Sequence, residues 1–185
     1  MGGSLKWEEI YEIYKKYPQY KTTKIFVETG TYKGETTRMA SSHFEKIYTM
    51  EIKKDLYEES KNTGEKMGCK NITYFLGDSI NILKVLVPLI NDSAIYFLDA
   101  HISGSDSGFN GKQYVPLMEE INIILENNKN PCIYIIDDLR FFINDNKPWD
   151  WAHISINNIK KLFEINKIKI FDDFAIDDRY VILTC

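Results

Sequence analysis

Three acids stand where apolar runs give way to turns: Glu28 in "KIFVETG", Glu51 ending "KIYTME" and Asp78 in "YFLGDS". Glu28 opens a turn that carries two glycines, Gly30 and Gly34, followed by "ETT". Glycine lets a backbone turn where a Cβ would obstruct it, and Gly34 would let the next helix start close to a ligand. A phosphate-binding loop needs a Lys after its last glycine, and a dinucleotide fingerprint needs GxGxxG. This turn has neither, and Glu28 would repel a phosphate while suiting an amine. Glu51, at the end of the following apolar run, is placed to accept from both hydroxyls of a ribose. Asp78 is placed to accept from an adenine amino group, or to cap the helix that follows.

A second constellation follows in "YFLDAHIS" and "YIIDDLR": Asp99, His101, Asp137 and Asp138. Like charges about 4 Å apart repel by roughly 4 kcal/mol at an effective dielectric near 20, so three clustered carboxylates call for a cation or a retained proton. All-carboxylate ligation without Cys or paired His points to Mg²⁺, with Mn²⁺ or Ca²⁺ as alternatives. Such an ion can bind vicinal hydroxyls and ease their deprotonation. Structural roles stand beside these: Asp138 capping a turn, Asp137 pairing with Arg140, and His101 as an ordinary hydrogen-bonder. His43 and His153 read as surface or helix residues. Phe141, Phe142, Trp149 and Trp151 either pack in the core or face a sugar ring, and "GSDSGFNG" has the composition of a lid.

The elements that must hold these groups alternate regularly. Short apolar runs at 24–28, 46–51, 72–77, 94–99 and 132–137 are each followed by a stretch with helical character, at 34–43, 53–67, 79–90, 115–128 and 153–164. Strands apolar on both faces, alternating with helices, predict a parallel sheet covered on both sides. The tail departs from this pattern. "KIKIFDDF" and "RYVILTC", separated by "AIDD", predict an antiparallel hairpin closing one edge. An amphipathic helix over 6–17 precedes the first strand and ends near Pro18. The expected fold is α/β and three-layered, Rossmann-like, with a mostly parallel seven-stranded sheet in one domain over 1–185, the N-terminal helix lying within 1–20. In this topology the two long irregular stretches leave the carboxyl ends of strands, the side on which open α/β sheets bind ligands.

The bulk composition narrows the partners. The 185 residues are 44% apolar, enough for one real core, and carry a net charge of −4 with no basic stripe. No nucleic acid is therefore expected as partner. Three cysteines without a CxxC fit neither a disulfide framework nor a zinc site, which suggests a reducing compartment. Without an apolar signal core or a run of roughly 18 apolar residues, a cytoplasmic protein with no membrane contact is expected; a homo-oligomer stays open.

A ligand with an amine, a ribose and an adenine but no phosphate is S-adenosylmethionine. From about residue 22 to 185 the chain resembles class I S-adenosylmethionine-dependent methyltransferases, on the E-x-G-x-x-x-G turn, Glu51, the "GDS" acid and the terminal hairpin. The resemblance implies that Glu28, Gly30 and Gly34 line the methionine moiety with Thr31 and Tyr32 beside it. It implies that Glu51 holds the ribose and that Asp78 and Ser79 hold the adenine, with Asp99 also reaching the cofactor. The second constellation is similar to that of metal-dependent sugar O-methyltransferases of the macrocin O-methyltransferase type. By that likeness Asp99, Asp137 and Asp138 would be metal ligands and His101 the general base, with Asp99 taking part in catalysis. His101 departs from the pattern, standing where several members carry a second acid. The acceptor implied is a small molecule or glycan, with a sugar hydroxyl as target. A metal-free small-molecule O-methyltransferase and a non-catalytic cofactor-binding module are the alternatives. "NPCIY" offers Pro131–Cys132, but a buried strand start reads as packing, not as the nucleophile of a DNA methyltransferase.

Overall fold

The computed structural model describes residues 3–101, 115–144 and 149–185. The stretch 102–114, which includes the lid-like segment, and residues 145–148 lie outside them. The helices are α1 (Trp7–Lys16), α2 (Glu35–Ser41), α3 (Lys54–Lys66), α4 (Ser79–Leu86), α5 (Leu117–Asn127), α6 (Arg140–Ile143) and α7 (Ile156–Ile165). The strands are β1 (Ile25–Thr29), β2 (Lys46–Glu51), β3 (Ile72–Leu76), β4 (Ala94–Leu98), β5 (Ile133–Ile136), β6 (Ile170–Ile176) and β7 (Arg179–Thr184).

They form one seven-stranded sheet in the order β3-β2-β1-β4-β5-β7-β6. The first five strands are parallel, and β7 runs antiparallel to both β5 and β6. Central strands β1, β4, β5 and β7 are buried along their whole length, as apolar residues on both faces require. Edge strands β3 and β6 alternate between half-buried and exposed residues. One face packs Phe26, Ile95 and Ile133 against Ile10 and Ile13 of α1 and Ala40 of α2. The other packs Val27, Tyr96 and Tyr134 against Leu83 of α4, Ile121 of α5 and Phe163 of α7.

The differences from expectation are local and have identifiable causes. Ala175 and Ile176 complete β6, so the hairpin turns on Asp177 and Asp178 alone, with Asp177 at φ 51°; Asp tolerates that left-handed conformation better than most residues. The last helix starts three residues later than expected because Ser155 caps it, accepting from the amide of Asn158. α4 gives way at Val87 to a tight turn built around Pro88. α6 is an additional short helix in the stretch read as irregular.

The strand order reverses at β1: β2 and β3 lie on one side, β4 and β5 on the other. Thr29 is level with Met50 on β2 and with Leu98 on β4, and Leu98 with Ile136 on β5. All the chemistry-bearing segments therefore leave one edge of the sheet, around a topological switch point where such sheets hold ligands.

Candidate functional site

The turn after β1 is pressed into the sheet edge. Gly30 has φ 80°, and a Cβ there would collide with the main-chain carbonyl of Asp99. The amides of Gly30 and Thr31 donate to the Met50 carbonyl at 3.0 and 3.2 Å, fixing the loop across β2. Tyr32, at φ 49°, leaves its ring half exposed and donates its amide to Glu51 Oε2 at 2.8 Å. Gly34, at φ 72°, also serves packing: a Cβ there would collide with Ser60 Oγ, so the glycine lets α2 lie against α3.

Glu28 faces inward. Its Oε2 accepts from the hydroxyls of Thr37 and of Thr49, the latter at 2.7 Å, and the side chain is buried. Burial pushes its carboxyl up to about 8 although the two hydroxyls pull it down. Near neutral pH it holds its proton, so it lacks the charge that the sequence reading assigned it and acts as a hydrogen-bonded strut below the turn. Glu51 is differently placed. Its Oε1 accepts from the Lys53 amide at 2.9 Å and its Oε2 from Tyr32, at the end of β2, while its main-chain carbonyl takes the Gly77 amide at 2.9 Å. Each carboxylate oxygen has a second lone pair, so Glu51 retains acceptor capacity for a diol. Asp78 caps α4, its Oδ1 accepting from Ile80 at 3.0 Å, and Ser79 opens that helix in a buried position.

Glu120 of α5 escaped the sequence reading. It is buried, accepts from Thr29 Oγ1 at 3.3 Å and is raised to about 8 by desolvation, which the Ser79 and Thr29 hydroxyls only partly offset. The charges of Asp78 and Asp99 push it the same way, so it sits under both halves of the site. Its only sequence signal was an acid within the first turn of an apolar helix, which reads as a favourable helix-dipole contact.

On the β4–β5 side, His101 bridges two acids, with Nδ1 3.3 Å from Asp99 Oδ1 and Nε2 2.6 Å from Asp138 Oδ2. Ligand atoms of Asp99, His101 and Asp138 all lie within 4.8 Å of one another. Asp138, in the left-handed region at φ 59°, also pairs with Arg140, which in turn pairs with Asp178 of the hairpin turn. Desolvation works to lower His101, but its hydrogen bonds to Asp138 and Asp99 outweigh it and push the imidazole up to about 10. Burial likewise works to raise Asp138, and His101 with Arg140 holds it below the usual carboxylate range. Asp99 is raised, chiefly by desolvation. Trp151 packs beside the histidine at 5.5 Å between ring centroids and stacks on Phe142, so this aromatic group supports His101 from within the core.

Asp137 does not join this group. It lies 3.2 Å from Nε of buried Arg179, and burial together with the Asp99 charge raises it to about 7. The local ion pair weighed for Asp137 and Arg140 is made instead by Asp138. His43 stacks on Trp7 at 3.7 Å, and His153 is exposed.

No protein-family profile and no curated protein matches the chain. Solved structures do. An S-adenosylmethionine-dependent methyltransferase from Clostridium acetobutylicum superposes with a TM-score of 0.61 at 12% identity, over 97% of this chain and 92% of that one. One from Aquifex aeolicus gives 0.58 at 14% identity, over 92% and 87%. A Streptococcus mutans protein designated a methyltransferase, in complex with S-adenosylhomocysteine, gives 0.53 at 14% identity, over 93% and 96%. The chain thus has the Rossmann-like fold of class I methyltransferases. No helix among the described residues is long and apolar enough to cross a membrane.

Proposed function

We propose that this protein is an S-adenosylmethionine-dependent O-methyltransferase acting on a sugar hydroxyl, free, nucleotide-linked or within a glycan, with a divalent ion. The observation that carries the reading is the sheet order with its reversal at β1, which brings Glu51 and the helix-capping Asp78 to adjoining strand ends beside the Gly30 turn. Glu51 would accept from the ribose, Asp78 and Ser79 would meet the adenine, and the main chain of Gly30, Thr31 and Tyr32 would border the methionine moiety. Glu28 and Gly34 hold the turn and α2 in place behind them.

The cofactor supplies an electrophilic methyl group. The reaction forms a carbon–oxygen bond to the acceptor, breaks the sulfonium–methyl bond and releases one proton from the hydroxyl. Both nitrogens of His101 face carboxylates, and its raised pKa keeps it protonated, which argues against it as the base in this arrangement. Asp99 is the better acceptor: its side chain is 29% exposed and its pKa is raised. An ion bound here would displace the His101 proton, so that Asp99, Asp138 and a neutral His101 would hold it, and it would offer Lewis acidity toward the acceptor's hydroxyls. Arg140 and Asp178 steady Asp138 from outside.

The metal-free alternative has one observation in its favour. A protonated His101 between Asp99 and Asp138 already offsets their repulsion, as an ion would. Release of S-adenosylhomocysteine from S-adenosylmethionine, measured against a panel of neutral, amino and nucleotide-linked sugars and of phenols and other small acidic hydroxyl compounds, with EDTA or added Mg²⁺ and Mn²⁺, tests both. Turnover abolished by EDTA and restored by metal supports the main reading. Turnover indifferent to EDTA supports the metal-free one, and none with any acceptor leaves a cofactor-binding module.

A further inference from the structure

We propose that Arg179 is a positioning residue that keeps Asp137 out of the metal cluster, so that His101 completes a ligand set of two carboxylates and one imidazole. This rests on the metal-assisted reading above and changes its ligands.

Asp137 and Asp138 are consecutive, with Asp138 in the left-handed region, yet their side chains meet different partners. Asp138 meets His101 at 2.6 Å, whereas Asp137 meets Arg179 Nε at 3.2 Å. Arg179 opens β7, which lies beside β5, and its side chain is 2% exposed. A buried guanidinium is costly unless paired on several sides. Glu9 of α1 accepts from its Nη1 at 2.6 Å and the Gly3 carbonyl from its Nη2, while Asp137 stands beside Nε at 3.2 Å as an ion-pair partner outside hydrogen-bond geometry, with Asp177 at 3.7 Å. Turning Asp137 toward Asp99 would withdraw one of these partners from a cation that water cannot reach. The same act would add a third carboxylate to a group that already holds two. Both effects oppose the move, and His101 is the donor left within reach of Asp99 and Asp138.

The choice of ion follows. Ca²⁺ and Mg²⁺ prefer oxygen ligands, and an imidazole shifts preference toward transition ions such as Mn²⁺. Through Glu9 the arrangement also makes α1 part of the support for the site.

Mn²⁺ binding to the full-length protein, followed by the electron paramagnetic resonance signal of free Mn²⁺, tests this without turnover. His101→Ala and Asp138→Asn are each expected to weaken Mn²⁺ binding by about tenfold or more, whereas Asp137→Asn stays close to wild type. Arg179→Lys keeps the charge and should retain the wild-type affinity. Arg179→Met frees Asp137 and should tighten Mn²⁺ binding, a gain that vanishes in Arg179→Met/Asp137→Asn. Should Arg179→Met not fold, the contrast between Asp137→Asn and His101→Ala decides alone. Loss of Mn²⁺ binding in Asp137→Asn, or its retention in His101→Ala, overturns the proposal. A wild-type protein that ignores Mn²⁺ overturns it together with the metal-assisted reading, while binding of S-adenosylhomocysteine, titrated separately, still reports on the cofactor site.

Discussion

Replacing Glu28 by glutamine probes the buried strut beneath the glycine turn. In the folded protein burial raises this carboxyl from 4.5 to about 8. The folded state therefore holds a proton that the unfolded chain has released between those values. Stability from this group is fully present below about pH 4.5 and is lost as the pH rises toward about 8. At about 1.4 kcal/mol per pH unit the full loss has an upper limit on the order of 5 kcal/mol. The amide oxygen of glutamine can accept the same hydroxyls of Thr37 and Thr49 without ever ionising. Urea unfolding followed by tryptophan fluorescence at intervals from about pH 5 to about 9 should show wild type falling away from Glu28→Gln as the pH rises. Parallel curves across that window would refute the reasoning, since they would mean that Glu28 is solvated or charged in the folded state.

Glu120→Gln should behave in the same way, because Glu120 is raised to about 8 by the same cause; thermal melts at pH 6 and pH 9, roughly bracketing that value, check it. Gly30→Ala introduces a Cβ against the Asp99 carbonyl at a left-handed φ, and should cost at least about 2 kcal/mol in chemical denaturation. Trp151→Ala removes a buried ring packed on Phe142 and His101, and should cost about 3–5 kcal/mol by the same measurement. An imidazole NMR resonance of His101 should also broaden or shift in that variant, which a remote core cavity would not cause.

Most of the architecture was legible because it is written in local pattern. Five apolar runs, each followed by a helical stretch, could hardly form anything but a covered parallel sheet, and the β-rich tail around Asp177 read as a hairpin. The acids at strand ends were legible for the same reason: their position depends only on where a run stops. What each acid touches was not legible, since partners come from distant segments. Glu28 looked like a free charge because Thr37 and Thr49 lie on other elements. Asp137 looked equivalent to Asp138 until the fold brought Arg179 of β7, itself held by Glu9 of α1, to one of them. Gly34 read as part of a ligand cradle, and nothing in its own segment announces that it also makes room for Ser60.

Calorimetric titration of S-adenosylhomocysteine into the wild-type protein and into Glu51→Ala, with the fold of each checked by circular dichroism, tests the cofactor site most directly. Wild type should bind saturably, with affinity weakened in the variant by about tenfold to a hundredfold, as expected when a charged hydrogen-bond acceptor is lost. No heat with wild type, or equal affinity in the variant, would contradict this reading of the site.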